Sequence, residues 1–179
     1  MTISLRRNCF HLSLATLFVS IGCGGNANTG ATAKKSRPAP GVTIPVPDKL
    51  TLYSIDGTLD NREAPYHTNP KERFHDDPVL GKVEVTDPAK KAEIVAALGA
   101  GLQNDENWGE CFWPRHAIRM ELSGETTDYV ICYQCKHVKI SSPSGQSTKP
   151  TDRSSRAVLN RYLKEAGVPL VKGAEGEPN

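Results

Sequence analysis

AIRMELSGETTDYVICY, residues 117–133, reads as two strands and a turn. Ala117 to Leu122 alternates apolar and polar side chains, the period of a strand with one face in a core. Asp128 to Tyr133 returns as DYVICY, apolar on both faces, as a central strand requires. Ser123 to Thr127 lies between them and holds Gly124, so it predicts a hairpin loop. Placing Leu122 opposite Asp128 sets Ile118 against Cys132 and His116 against Gln134. Directly opposed residues have Cβ atoms about 5 Å apart. The hairpin therefore delivers CFWPRH, residues 111–116, beside CYQC, residues 132–135.

Working outward, KLTLYSI (49–55) alternates as a strand, closed by Asp56-Gly57. VLGKVEVT (79–86) is a second, and His137 to Ser141 a short fifth. Asp87-Pro88 is an N-cap followed by proline at the first helical position. That helix carries Ile94, Val95, Leu98 and Leu102 on one stripe, with Gly99 and Gly101 as stop signals. A last helix runs from near Asp152 to Gly167, with Val158, Leu159, Tyr162, Leu163 and Ala166 inward. Asp60 to Pro78 and Ser142 to Thr151 read as loops, and His67 and His75 as solvent-exposed. The order ββα-βββ-α predicts an α+β domain over residues 48–171: a mainly antiparallel sheet of about five strands with two helices packed on one face.

SIDGTL (54–59) resembles the DxDGT signature of haloacid-dehalogenase-type phosphatases. Ser54 stands where that family needs its nucleophilic aspartate, so the segment reads as a strand ending on an Asp-Gly turn.

The first residues read as an export signal. Arg6 and Arg7 precede an uncharged apolar run, Asn8 to Ser20, too short to span a bilayer. Ile21-Gly22-Cys23 then resembles the lipobox of bacterial lipoproteins, with Ser20 where Leu or Val is usual. The resemblance implies a signal peptide over 1–22, acylation of Cys23 and a membrane partner reached through the lipid anchor. Gly24 after the cysteine leans toward the outer membrane. The alternative is ordinary cleavage near Gly24 or Ala27. Residues 23–47, rich in Gly, Asn, Thr, Ala and Pro, cannot bury enough apolar surface to fold and read as a tether. Residues 172–179 read as a disordered tail.

Loss of residues 1–22 removes Arg6 and Arg7, lowering 22 basic side chains to 20 against 20 acidic ones. A neutral mature chain is a poor nucleic-acid binder. With Cys9 lost with the leader and Cys23 acylated, Cys111, Cys132 and Cys135 remain, an odd number for an exported chain. Three readings follow. A disulfide from Cys111 to Cys132 or Cys135, with the third thiol buried and inert, suits an oxidising compartment and leads. Zinc held by Cys111, Cys132, Cys135 and His116 (or His137) is the alternative, since C-x2-C is a common half-site. Thiol redox chemistry comes third, because the pair sits at a strand end rather than a helix N-terminus. A nucleophilic pairing of Cys111 with His116 lacks an orienting group. Arg115 and Arg119 read as a solvated basic edge, or an anion or carboxylate site.

LYSID, VLGKVEVTD, CFWPRHAIR, VICYQC and YLKEAGVPL together resemble a group of uncharacterised exported proteins frequent in planctomycete-like bacteria. The similarity covers roughly residues 49–171. It implies export and an intact domain, and transfers no activity. The expectation is an exported, lipid-anchored domain with a binding or structural role at the cell envelope, its partner or ligand unspecified. No catalytic set and no cofactor are expected, with zinc or thiol-dependent activity as the alternative.

Overall fold

The computed structural model describes residues 41–57, 72–102 and 109–171. The expected leader, Cys23, the first part of the tether, His67 and the expected tail lie outside the described residues. The elements in chain order are β1 (Lys49–Ile55), β2 (Arg73–Phe74), β3 (Asp77–Glu84), α1 (Pro88–Gly101), β4 (His116–Leu122), β5 (Glu125–Cys132), β6 (His137–Ser142), β7 (Gly145–Pro150) and α2 (Ser154–Glu165). Every strand pair is antiparallel, and the sheet order is β2-β3-β1-β4-β5-β6-β7. The α+β class stands as expected, but among the described residues the curled sheet has seven strands where about five were expected.

Two strands were read as loop. β7 is GQSTKP, exposed along Gly145–Lys149, and has no apolar alternation to betray it. It is an edge strand whose backbone pairs with β6 from Ser142↔Gly145 to His137↔Pro150. β2 is two residues long and is fixed by Phe74, 2% exposed under the sheet.

Period-two alternation splits each strand between the two sheet faces. Leu50, Leu52, Ile118, Met120, Tyr129, Ile131 and Val138 form one cluster with Ile94, Val95 and Leu98 of α1 and Leu159 and Leu163 of α2. The opposite face carries a smaller cluster of Tyr53, Ile55, Phe74, Val79, Ala117 and Val130, with Phe112 packed against it. A bulge between Ser54 and Ile55 shifts the β1–β3 register, so Val79 turns into the second cluster while Val83 packs with the first.

α1 begins as predicted. Asp87 accepts from the Ala89 and Lys90 amides at 2.8 and 3.1 Å, and Pro88 follows it. The helix does not stop at Gly99. A Cβ on Gly99 would lie 2.2 Å from Val42 O, so glycine here lets an incoming segment cross the helix. Val42 N donates to Gly99 O at 2.9 Å, Ile44 packs on the larger core and Pro47 is buried. The chain is thus in place from Gly41, before the expected end of the tether at Pro47. In α2, Ala166, expected inward, is exposed, while Leu159, Tyr162 and Leu163 are buried.

Candidate functional site

The β4–β5 hairpin has a tighter turn than the five-residue loop expected. Leu122 pairs with Glu125, and the two-residue turn Ser123-Gly124 has positive φ at both positions, 53° and 83°. His116 therefore faces Ile131, not Gln134, and Ile118 faces Tyr129, not Cys132. The shift is odd in residues, so it reverses which side chains share a face. His116 falls on the helix face, where it is 1% exposed. Its Nε2 lies 2.6 Å from Asn160 Oδ1 on α2, and Tyr133 meets its ring edge-on at 5.3 Å. Burial pushes its pKa down to about 4, against the opposing pull of Asn160, with Arg115 and Arg156 adding to the depression. Cys132 follows Ile131 and points to the other face, so His116 is not brought to the cysteines as a ligand or as a base for Cys111.

The three cysteines do converge, on the face away from the helices. Cys111 and Cys135 are within disulfide distance, Sγ–Sγ 2.34 Å and Cα–Cα 5.9 Å. The bridge ties the segment before β4 to the β5–β6 turn, and Gly109 N donating to Cys135 O at 3.0 Å seconds it. Cys132 is free and 0% exposed. Burial raises its pKa, while backbone amides of Cys135, Trp113 and Gln134 and the charge of Arg115 pull it back. His137 is the imidazole that accompanies this cluster. It pairs with Cys132 across β5–β6, its Nδ1 lies 3.2 Å from Cys135 O, and its ring stacks on Phe112 at 4.7 Å. Among the described residues no group of three or more His, Cys, Asp or Glu side chains is arranged to hold a metal ion.

The same face opens beyond Phe112 into a cavity of about 490 Å³ between the β2–β3 turn and strands β6 and β7. One wall is His75, Asp76 and Asp77, and the other is Lys139 with Gln146, Ser147 and Thr148. Lys139 Nζ lies 4.0 Å from the Phe112 ring centroid, a cation–π contact. Asp77 is pushed up to about 6, first by burial and then by Asp76, with Lys139, His75 and Arg73 opposing. Beside the cavity, Arg119 grips Asp128 with Nε–Oδ1 2.8 Å and Nη2–Oδ2 2.7 Å. His75 Nε2 adds a third contact to Asp128 at 3.0 Å. The side chain of Asp128 is 8% exposed, so the carboxylate of this forked pair is shielded from solvent. His75 is solvent-exposed as expected, and that contact holds it in a turn where its own φ is 52°.

Asp77, Asp128 and Lys139 were missed as site residues. Asp128 and Arg119 are cross-strand partners, a relation visible only once the turn length is known. Asp77 and His75 sit in a polar stretch whose sequence holds no periodic signal. Among the described residues no helix is long and apolar enough to cross a membrane. Comparison with protein families, curated proteins and solved structures returns no match to this chain.

Proposed function

We propose that this chain is an exported, lipid-anchored domain of the cell envelope that binds a small polar ligand or partner segment on its helix-free sheet face. The cysteine bridge serves to hold that face in shape. The observation that carries the binding role is the cavity of about 490 Å³, with carboxylates on one wall, an ammonium on the other and Phe112 between them. Convergent polar groups around an apolar floor are what small-molecule sites are built from. Opposite charges on facing walls suit a zwitterion or a segment bearing both signs. A cysteine pair within bonding distance accords with an oxidising compartment. The lipobox-like Ile21-Gly22-Cys23 and the resemblance to exported planctomycete-type proteins support the anchor and the address. Two or more acyl chains hold a protein to a membrane where one does not, each buried CH2 contributing about 0.8 kcal/mol.

Mass spectrometry of the chain from the membrane fraction of an exporting bacterium tests the anchor. The expected product begins at an acylated Cys23. A chain retaining residues 1–22, or starting at Gly24 or Ala27, removes the anchor from this reading. NMR of the leader-free Cys23→Ala chain against zwitterionic, cationic and anionic small molecules tests the binding role. Shifts gathered at His75, Asp77, Val130 and Lys139 are expected with the zwitterions. Shifts gathered elsewhere, or none with any of the three classes, count against it.

A further inference from the structure

β7 is an edge strand that also forms a wall of the cavity. It runs against β6 in unbroken register, from Ser142↔Gly145 to His137↔Pro150, with no bulge to turn its edge away. The direction of its backbone groups follows from one bond. Thr151 N donates to Lys136 O at 2.9 Å, one step beyond the ladder, so the odd-numbered residues of this strand bond inward to β6. The N–H and C=O of Gln146 and Thr148 therefore point away from the sheet. Pro150 stands next in that outward row, where a residue without an N–H forfeits no ladder bond. Beyond it the row is closed by α1, since Asp152 N donates to Gly101 O at 2.9 Å and Leu102 bridges Thr151.

Alternation puts the same two residues on the cavity side. Thr148 lies opposite Lys139, Lys139 lies opposite Val130, and Val130 belongs to the cluster on the helix-free face. Gln146, two residues from Thr148, shares that face, and both line the cavity. Outward backbone and cavity-side side chains thus coincide at Gln146 and Thr148. A strand added to this edge, about 4.8 Å further out, would set every second side chain over the cavity. Across the cavity stand Asp76 and Asp77. Neither carboxylate is in an ion pair among the described residues. The cavity's own cation, Lys139, rests on the Phe112 ring at 4.0 Å.

We infer that the partner is an extended peptide segment that pairs antiparallel with β7 as a further strand and puts a basic side chain, lysine or arginine, into the cavity against Asp76 and Asp77. This rests on the cavity as the binding site and specifies its occupant; it is independent of the lipid anchor. The outward N–H and C=O groups of Gln146 and Thr148 supply main-chain bonds that any extended segment can take up. The carboxylates supply the choice among segments, because an acidic side chain in the same place meets like charge.

The probe is the acetylated, amidated heptapeptide Thr-Val-Thr-Lys-Thr-Val-Thr, added to the oxidised, leader-free Cys23→Ala chain and followed by NMR. Slowed amide exchange at Gln146 and Thr148, with shifts at Asp77 and Lys139, is expected. Ser147 and Lys149, already bonded to β6, should change little. N-methylation of the peptide at its lysine should abolish binding, because that amide faces β7. N-methylation of the next threonine, whose amide faces away, should leave binding in place. Glutamate instead of lysine should weaken binding, and Asp77→Asn should narrow that difference. Unchanged exchange at Gln146 and Thr148 overturns strand addition; the cavity stands as a site if zwitterions still shift Asp77 and Lys139, and falls with it if they do not. Equal binding of the lysine and glutamate peptides overturns the basic occupant. Exchange at Gln146 and Thr148 that slows with protein concentration in the absence of peptide assigns the edge to a second copy of the chain and overturns the inference as well.

Discussion

His116 is held neutral by the core, and that sets a pH dependence with a definite sign. Its folded pKa of about 4 lies below the value near 6.5 of an unfolded histidine. Between those values the unfolded chain binds more protons, so stability rises with pH across the window and levels off above it. The full gap corresponds to roughly 3 kcal/mol. Asp77 has the opposite sign. Its folded pKa of about 6 lies above the usual carboxylate value, so its contribution is present below pH 4 and is lost as pH rises through 6. Denaturant unfolding from pH 7 to 4.5 should therefore show a net loss of stability. His116→Gln should flatten that loss. Asp77→Asn should steepen it and raise stability modestly at pH 7; a variant less stable than wild type at pH 7 contradicts the burial argument. Ser54 gives a further residue-scale test. Its Oγ is buried and has no hydrogen-bond partner among the described residues. Ser54→Ala gives up no bond and should cost less than about 1 kcal/mol, or stabilise. A loss of more than about 2 kcal/mol would mean that the hydroxyl has a bonded partner.

The β4–β5 hairpin is the element on which the reading of this fold turns, and its turn makes the next prediction. Nothing lies within 4 Å of a Cβ built on Gly124, so a side chain there meets no clash. Its φ of 83° is nevertheless a region that L-residues disfavour. Gly124→Ala should cost about 1–2 kcal/mol, all of it conformational. Ser123→Asn should stabilise, because asparagine tolerates the left-handed region and Asn-Gly suits this two-residue turn. Equal effects of the two substitutions on the unfolding midpoint would argue against this turn and restore the longer loop. The same hairpin shows what the sequence could carry. β1, the N-cap at Asp87 and the stripe Ile94, Val95, Leu98 were legible because each has a period or a cap chemistry of its own. Glu125 and Thr126 are exposed and polar, so hydrophobic alternation ended before the strand did. The misplaced register followed from that, and with it the placing of His116 beside the cysteines. β7 was invisible for the same reason, since an exposed edge strand has no face to mark. The cysteine convergence survived the error, because adjacency of the two segments needs the hairpin and not its register.

At the scale of the molecule, the helix-packed face and the helix-free face are stabilised differently. The first has two amphipathic helices locked together, with Arg161–Glu93 at 2.7 Å and Lys90–Glu165 at 3.1 Å on their exposed side. Such surface pairs are screened by solvent and add little, so the buried apolar cluster carries that face. The second face has a smaller cluster and only short covering segments, one of which is Cys111 to Pro114. Its integrity therefore depends on a cross-link in a way the first face does not. The bridge spans a sequence separation of 24 residues, for which the chain-entropy model gives about 3 kcal/mol. Cys135→Ser should lower stability by about that amount in oxidising buffer and by little in reducing buffer, where the wild type has lost the bridge too. The loss should be local first. Hydrogen exchange should accelerate at Gly109 to Arg115 and around the β5–β6 turn before it does in α1 or α2. Cys132 reports the same event chemically. Buried and with its pKa raised, it should resist alkylation in the oxidised native chain and react once the covering segment lifts. Rapid alkylation of Cys132 in the intact oxidised protein, or exchange accelerating uniformly over both faces, would show that the bridge does not hold that segment.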